Sequence, residues 1–331
     1  MEVEEDETVL DAAFRQGIML MHGCKEGQCS ACKSIVLDGE GEHEDYSTFA
    51  LSDNEQEEGM VLLCRYFPET DLEIELLNYD EDLLNSWIPA KNFNGKISAI
   101  TELTHDIKQI DVALEEDITF RAGQYVDITI PGTDITRSYS MANPPSQSDT
   151  LSFIIKTYPD GGFSSKLNND FAVGDALIVN GPFGMSFRNE RNEGPVLLVG
   201  GGSGMAPLWS ILNDLVDNNI QKPVRLYYGA RTEKDLFYLD EIGKIGEKLS
   251  DFKFIPALSD LAPGETWDGA TGFIHEVLAN DFDGEAAVAD RESYACGPPP
   301  MCDALVPVFQ QIGIDADDIH LDKFTPATGA S

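Results

Sequence analysis

The length, composition and charge of this chain exclude several kinds of protein. At 331 residues, with 42% hydrophobic and 9% aromatic residues, it has the composition of a globular protein with two or three domains, and neither disorder nor a fibrous design is indicated. Because 59 acidic residues outnumber 22 basic ones and leave a net charge of −37, binding to nucleic acid or to an anionic membrane is disfavoured.

The sequence contains no visible targeting or membrane-spanning segment. It has no apolar run of roughly 18 residues and no basic segment followed by an apolar one at its start, so we expect a cytoplasmic protein. Thiols stay reduced in the cytosol, which favours metal binding or packing for the six cysteines over a disulfide framework.

An acidic lobe, which we place at residues 1–86, opens the chain. It holds 23 acidic and 4 basic residues, hence a net charge of −19, about half of the total. We expect this lobe to dock on a positively charged protein partner, and an acidic surface that serves only solubility is the alternative of equal weight. Residues 71–76 alternate like a half-buried strand, and residues 83–90 (LLNSWIPA) read as a linker.

Four cysteines of the lobe have the spacing of a metal site. Cys24, Cys29 and Cys32 stand at C-x4-C-x2-C in the text GCKEGQCSACK, and Cys64 follows after 31 intervening residues. This is the plant-type [2Fe-2S] pattern, and the small residues of the loop allow backbone N–H groups to approach the sulfur atoms. A structural zinc site is the alternative, but four-cysteine zinc sites usually contain two C-x2-C pairs, whereas this chain has one.

The lobe resembles plant-type ferredoxins. That resemblance implies a β-grasp fold with residues 9–16 as its first helix. Such domains usually begin with a hairpin of two strands, but here only residues 1–5 precede the turn at Asp6. We therefore expect the first strand to be missing, because of either a truncated lobe or a start codon assigned too late.

Short alternating runs punctuated by Gly, Pro and Asp predict an antiparallel β-barrel at residues 87–190, with its first strand near Lys96. After a strand and a proline turn come Arg137, Ser138, Tyr139 and Ser140, which resemble the flavin-binding R-x-Y-S of the ferredoxin-NADP reductase superfamily. A guanidinium can pair with the FAD diphosphate, and an aromatic ring can pack on the isoalloxazine. The Ser140 hydroxyl can reach the flavin N5, which makes Ser140 a catalytic candidate.

A glycine segment follows at a suitable distance. It resembles the G-x-F-S-x-x-L segment whose backbone N–H groups hold the diphosphate. The cofactor-binding candidates in this region are Lys156, Gly161, Gly162, Phe163 and Ser164. The alternative interpretation is that Arg137 is a surface residue, Tyr139 a core aromatic and the glycines a plain turn.

Residues 191–331 alternate apolar strands and helices, which predicts a parallel α/β domain. A glycine loop joins the strand at 195–199 to the helix at 208–216, so backbone amides and a helix N-terminus would face the phosphates of a nicotinamide dinucleotide. The loop lacks the G-x-G-x-x-G spacing but resembles the reductase-superfamily version, which ends in Ala-Pro. Its candidate binding residues are Gly201, Gly202, Ser203, Gly204, Met205, Ala206 and Pro207.

Two further segments at predicted strand ends agree with this superfamily. The resemblance implies ribose contacts for Arg231, and it places Cys296 and Gly297 beside the nicotinamide, where C4 meets the flavin N5. Cys296 is thus the second catalytic candidate, with buried packing as its alternative; for Cys302 we expect packing alone. Asp260 would repel a 2′-phosphate, so we expect NADH and not NADPH as the cofactor.

In the order cluster, FAD and NADH, the motifs resemble the reductases of soluble di-iron monooxygenases and of some ring-hydroxylating dioxygenases over essentially the whole chain. The cluster loop is most similar to reductases of propane- and methane-oxidising enzymes. This resemblance implies a reductase, monomeric when free, that passes electrons from NADH through FAD and a [2Fe-2S] cluster to a hydroxylase component. The alternatives are a reductase for a Rieske-type dioxygenase and a non-catalytic redox sensor. The five histidines show no paired ligand spacing, so we expect no oxygen activation on this chain.

Overall fold

A computed structural model describes residues 1–81, 84, 86–159, 161–189, 192–261, 264–282 and 291–324. The chain divides into two units, which are Met1–Ala90 with Phe183–Met185, and Lys91–Pro182 with Ser186–Ser331. The expected boundary at 190/191 and two residues of the expected linker, 83 and 85, lie outside the described residues. The three predicted domain ranges therefore stay predictions.

Helix α1 (Val9–Arg15) opens the first unit, one residue shorter than predicted. Its N-cap is Thr8, whose Oγ1 accepts a hydrogen bond from Asp11 N (3.1 Å) and so satisfies an N–H group of the first turn. Its apolar face, which includes Leu10, is buried. The described residues before the helix form a turn and no strand.

The first unit is built on two small antiparallel ladders. In the larger ladder, the central strand pairs with a strand on each side, and its inward residues pack on α1 together with Leu51 and Leu62. This arrangement confirms the predicted β-grasp ferredoxin fold. The elements are β1 (Lys33–Asp38), β2 (Gly41–His43), α2 (Asp53–Glu57), β3 (Met60–Leu62), β4 (Tyr66–Pro68) and β5 (Glu73–Leu76), paired as β3-β1-β5 and β2-β4.

Six antiparallel strands of the second unit form the predicted barrel. They are β6 (Lys91–Glu102), β7 (Ile107–Leu114), β8 (Tyr125–Thr129), β9 (Thr136–Ser140), β10 (Thr150–Lys156) and β11 (Ala176–Phe183), with α3 (Gly162–Asn169) between the last two. Their order is β10-β7-β6-β11-β8-β9, and a bridge between Met141 and Phe153 joins the two outer strands. The first strand begins at Lys91, five residues before its expected start.

The rest of the second unit is a parallel six-stranded sheet with helices, as the alternating pattern predicts. Its strands are β12 (Val196–Gly201), β13 (Val224–Ala230), β14 (Phe252–Leu258), β15 (Ala270–Thr271), β16 (Glu292–Gly297) and β17 (Ile319–Lys323), in the order β15-β14-β13-β12-β16-β17. Its helices are α4 (Met205–Asp217), α5 (Leu239–Gly246), α6 (Ile274–Asp281) and α7 (Pro299–Gln311). Strands β12 and β16 are buried throughout, as central strands covered on both faces must be. In the part of the chain that is described, no helix has the length and apolarity to cross a membrane.

Candidate redox cofactor sites

The loop that carries Cys24, Cys29 and Cys32 is folded so that its amides point at sulfur. The N–H groups of Gln28 and Glu26 lie 3.2 Å and 3.4 Å from Cys24 Sγ, and Cys24 N lies 3.4 Å from Cys29 Sγ. Donors at these positions favour a thiolate over a thiol, since they stabilise negative charge on sulfur.

Two glycines make this loop possible. Gly27 has a φ of +67°, a left-handed conformation, and a Cβ there would lie 2.8 Å from the Cβ of Tyr46. At Gly23 a Cβ would lie 2.9 Å from Cys29 Sγ. Any larger residue at either position would therefore push the loop away from the sulfur atoms.

The four sulfur atoms are grouped as two pairs. Cys32 Sγ lies 3.4 Å from Cys64 Sγ, and the thiol of Cys24 is hydrogen-bonded to that of Cys29. A zinc ion with bonds of about 2.3 Å would bring all four sulfurs within about 4 Å of one another. Within the described ranges, no three of these sulfurs lie mutually within 4.8 Å. Two pairs suit a cluster of two irons, each bound by two thiolates, and do not suit a single zinc ion.

The loop at residues 46–51 is tied to the cysteine loop at two points. Ser47 N donates to Gly27 O (2.9 Å), and Ser30 Oγ donates to Ala50 O (3.2 Å). Between these ties Phe49 is 81% exposed. A large apolar side chain thus stands in solvent beside the cysteine loop.

In the barrel, the structure brings the two predicted flavin segments together. Arg137 lies on β9, and its Nη2 lies 3.5 Å from the position that a Cβ on Gly162 would occupy. The Tyr139 and Phe163 rings pack with their centroids 5.1 Å apart. Burial raises the pKa of the Tyr139 hydroxyl, which keeps the ring neutral. Ser140 is buried at the end of the same strand.

The glycine segment forms the start of α3. Gly161 is its N-cap, so the N–H groups of Gly162 and the following residues belong to the first turn, whose donors have no acceptor within the helix. The Ser164 hydroxyl bonds to the backbone of Tyr158 and so fixes the turn. Ser138 Oγ donates to Asp127 Oδ1 (2.5 Å). The Ser138 and Ser164 hydroxyls thus have partners within the protein.

The predicted nucleotide loop is the tight junction between β12 and α4. Gly201 ends the strand, and Gly202, with a φ of +57°, opens a 3-10 turn that leads into α4 at Met205. A Cβ on Gly204 would overlap the carbonyl oxygen of Cys296, so this turn and the end of β16 are in contact. Ser203, Ala206 and Pro207 complete the turn and the first helical residues.

Cys296 lies beside that turn but is 2% exposed, and burial raises the pKa of its thiol, which keeps it protonated. Gly297 follows with its Cβ position 2.7 Å from Met301 Cε. Cys302 is fully buried with its sulfur 3.7–3.8 Å from three carbonyl oxygens, as expected of a packing residue.

Two of the remaining predicted residues meet at a carboxylate that sequence reasoning missed. Arg231 follows β13, and its Nη2 lies 4.0 Å from Asp106 Oδ2; Lys156 Nζ, at the end of β10, lies 3.0 Å from the same oxygen. Asp260 is exposed and its N–H donates to Arg231 O (2.9 Å). Asp106 follows Thr104 in a turn before β7, a local signal that indicates a turn but not its distant basic partners.

Comparison with known proteins identifies three domain families along the chain. Three family models match: 2Fe-2S iron-sulfur cluster binding domain at residues 1–69, oxidoreductase FAD-binding domain at 94–187 and oxidoreductase NAD-binding domain at 198–306. The chain is 47% identical over 327 residues to the reductase component of propane 2-monooxygenase from Gordonia, covering 98% of this chain and 94% of that protein.

Other relatives are similar over the same length. The reductase component of phenol 2-monooxygenase from Pseudomonas is 34% identical, with 100% of this chain and 93% of that protein covered. Among solved structures, the cytochrome P450 reductase of Amycolatopsis has a TM-score of 0.85 at 30% identity, covering 99% of this chain and 97% of that one.

The fold and sites thus define an NADH-dependent flavin and iron-sulfur oxidoreductase, with FAD, NADH and a [2Fe-2S] cluster as its cofactors. Such an enzyme moves electrons from NADH through FAD to the cluster. Within that class, the chain belongs to the family of reductase components of multicomponent monooxygenases.

Proposed function

We propose that this chain supplies electrons to the hydroxylase component of a soluble di-iron monooxygenase of the propane-oxidising type. The observation that carries the proposal is the 47% identity over 98% of the chain to the reductase component of propane 2-monooxygenase. When bound, NADH would supply a hydride, FAD would convert the electron pair into single electrons, and the cluster would carry one electron at a time. The chain itself must hold these groups and keep water from them.

In the barrel, we propose that the Arg137 guanidinium binds the FAD diphosphate together with the first-turn amides of α3. The closeness of Arg137 to Gly162 supports this role, because a guanidinium and helix-end N–H groups then converge on one anion. Tyr139 would pack on the isoalloxazine, and Ser140 would donate a hydrogen bond to the flavin N5. The further binding residues of this proposal are Ser138, Lys156, Gly161, Phe163 and Ser164.

In the nucleotide domain, the turn of residues 201–207 is proposed to bind the NADH phosphates through its amides, and Arg231 the ribose. The glycine at 204 allows the turn to pack against the Cys296 carbonyl oxygen, which brings the proposed phosphate-binding amides and the proposed nicotinamide contacts of Cys296 and Gly297 together. Cys296, a protonated thiol, and Gly297 would border the nicotinamide, so the thiol would orient the ring and not act as a nucleophile. The carboxylate of Asp260 would disfavour a 2′-phosphate.

We place the domains at residues 1–86, 87–190 and 191–331. The ranges matched by the three family models, 1–69, 94–187 and 198–306, support boundaries in the two intervals between them. We further propose that the protein is a monomer when free and acts in the cytoplasm.

Docking on the hydroxylase is proposed to use the acidic first unit. A groove lined by Glu42, Glu44 and Asp45 lies beside Tyr46, the residue that contacts Gly27 of the cysteine loop. Acidic groups there would steer a basic partner towards the cluster. The exposed ring of Phe49 would supply the apolar anchor that a small docking surface needs.

A triple charge reversal tests this docking surface. We expect Glu42→Lys, Glu44→Lys and Asp45→Lys together to slow electron transfer to the hydroxylase by at least about tenfold while NADH–ferricyanide turnover is kept. The matched control reverses three exposed acids of the second unit, Asp240, Glu241 and Glu247, for the same change in net charge. Equal effects of both triples would contradict a local docking site.

A reductase for a Rieske-type dioxygenase is the second candidate. It is favoured by one observation, the 29% identity and TM-score of 0.78 to the ferredoxin reductase of carbazole 1,9a-dioxygenase, with 97% of this chain and 94% of that chain covered. Reconstitution with each class of oxygenase, scored as product formed per NADH oxidised, separates the two. A non-catalytic sensor would fail to reduce cytochrome c with NADH.

An anaerobic titration with NADH and then NADPH, followed through flavin and iron-sulfur absorbance, tests the cofactor sites. We expect NADH to bleach both chromophores and NADPH to be far weaker. A Cys64→Ala variant should lose only the cluster bands, whereas Cys302→Ala should keep both sets. Bleaching of the flavin without cluster bands in the parent protein would contradict the proposed four-cysteine site.

A further inference from the structure

One carboxylate outside the recognised motifs holds two basic side chains that we assign to cofactors. Asp106 Oδ2 lies 3.0 Å from Lys156 Nζ and 4.0 Å from Arg231 Nη2. Lys156 ends a barrel strand and Arg231 follows a strand of the parallel sheet. Asp106 therefore connects basic groups of the flavin barrel and of the nucleotide domain. His105 lies beside them, with Nε2 3.8 Å from Asp106 Oδ2 and Nδ1 3.6 Å from Asp235 Oδ1.

The position of this carboxylate is fixed from both sides. Thr104 Oγ1 donates to Asp106 Oδ1 (3.1 Å), and the Asp106 carbonyl oxygen accepts from Thr157 N (2.8 Å) and Oγ1 (3.1 Å). Partial burial alone would raise the pKa of Asp106, but the hydrogen bond and charge of Lys156 hold that pKa below its usual value. Asp106 is thus a rigid, ionised anchor.

The residue after the anchor touches the nucleotide-binding turn. Ile107, the neighbour of Asp106, has its Cδ1 3.8 Å from where a Gly202 side chain would begin. An unpaired carboxylate in this region would repel the phosphates of a dinucleotide, whereas a carboxylate that is paired with basic side chains can order them. Because two long basic side chains converge on Asp106, ordering is the role that the geometry favours.

We infer that Asp106 is a positioning residue for NADH: paired with Lys156 of the barrel, its carboxylate holds Arg231 ready for the ribose of the dinucleotide. The inference rests on the proposed NADH site. Without the anchor, the Arg231 side chain regains rotamer freedom that NADH binding must then remove, and the loss appears in affinity and not in the chemical step. Asp106 itself does not touch the reacting atoms in this account.

The test compares Asp106→Asn with a matched control in the full-length, flavin-loaded protein. For Asp106→Asn we expect the KM for NADH to rise on the order of tenfold, with kcat of ferricyanide reduction and flavin content kept. The control is Asp251→Asn, whose carboxylate pairs with Arg225 (2.7 Å) at the opposite end of β13. It should leave the KM unchanged. Asp106→Glu, which keeps the charge, should recover most of the affinity.

Each other outcome overturns the inference. An unchanged KM in Asp106→Asn removes the positioning role, and a lower KM shows that the carboxylate repels the dinucleotide. Loss of flavin makes Asp106 a structural residue of the barrel, and an Asp106→Glu variant as impaired as Asp106→Asn excludes positioning by charge. Arg231→Met separates the two proposals. If it leaves the KM for NADH unchanged, the proposed NADH site itself is wrong. If it raises the KM while Asp106→Asn does not, the NADH site stands and only the role inferred for Asp106 is wrong.

Discussion

At the scale of single residues, Gly204 has no room for a side chain. Because a Cβ there would overlap the Cys296 carbonyl oxygen, which is backbone and cannot rotate away, we expect Gly204→Ala to lower the free energy of unfolding by roughly 1–3 kcal/mol. Urea unfolding followed by circular dichroism measures this, and the KM for NADH should rise with it.

Gly243 provides the control for that substitution. It lies within α5, and apart from its chain neighbours and the backbone of its own helix, no atom of the described residues lies within 4 Å of its Cβ position. Since alanine is the better helix former, Gly243→Ala should raise the free energy of unfolding by about 0.5–1 kcal/mol. If Gly204→Ala and Gly243→Ala changed the free energy of unfolding in the same direction, the steric explanation would be contradicted.

Glu292 is a buried carboxyl that should make the stability of the fold depend on pH. It is fully buried; Asn189 N donates to its Oε1 (2.6 Å), and its Oε2 has no hydrogen-bond partner among the residues that are described. Burial raises the pKa of this carboxyl above its ordinary 4.5. The folded state therefore holds the proton to higher pH than the unfolded state, and stability falls as the pH rises from 4.5 through the folded pKa.

Glu292→Gln removes this titration. We expect the Tm difference between the Gln variant and the parent to grow in favour of Gln between pH 5 and pH 8, as scanning calorimetry at several pH values would measure. A constant difference across that range would show that Glu292 is already ionised in the folded protein.

The cluster cysteines could be predicted from the sequence because they lie close together in it, whereas Asp106 could not. The spacing of Cys24, Cys29 and Cys32 is readable because one loop supplies three ligands within nine positions. Asp106 was missed because its partners, Lys156 and Arg231, are distant in sequence and meet it only after the barrel and sheet have formed.

At the scale of elements, a buried ion pair connects the chain beyond the barrel to α4. Arg188 Nε lies 2.5 Å from Asp214 Oδ2, and both side chains are less than 10% exposed. Since removing one partner leaves a buried charge, Arg188→Met should cost about 3–5 kcal/mol in urea unfolding. Lys253→Met, which removes an exposed contact of 3.9 Å to Asp281, should cost less than about 1 kcal/mol. Similar losses in both would contradict this ranking.

Element types were predictable where the pattern is periodic, and their ends were not. The apolar runs that became β12 and α4 predicted the right element types. However, β12 continues to Gly201 and α4 begins at Met205, so the loop between them is shorter than the predicted strand at 195–199 and helix at 208–216 imply. The end of a strand depends on its pairing with neighbouring strands, here β13 and β16. The sequence of the strand alone therefore does not predict where it ends.

At the scale of the whole molecule, the net charge of −37 should give opposite salt effects with two acceptors. Ferricyanide is an anion that the protein repels, so its reduction at saturating NADH should accelerate as salt screens the charge. Cytochrome c is basic, so its reduction should slow severalfold between about 20 and 500 mM NaCl. Stopped-flow rates would measure both, and salt effects of the same sign would exclude long-range charge as the cause.

The backbone around Cys64 has a consequence for how the protein matures. The neighbour of Cys64, Leu63, donates to Cys32 O (3.3 Å) and accepts from Leu10 N (3.0 Å), so the fourth sulfur is held beside its partner by bonds to the helix and to the cysteine loop. We therefore expect cluster binding and the folding of this lobe to stabilise each other. The brown colour of a fresh preparation would report how many molecules have a correctly folded first unit.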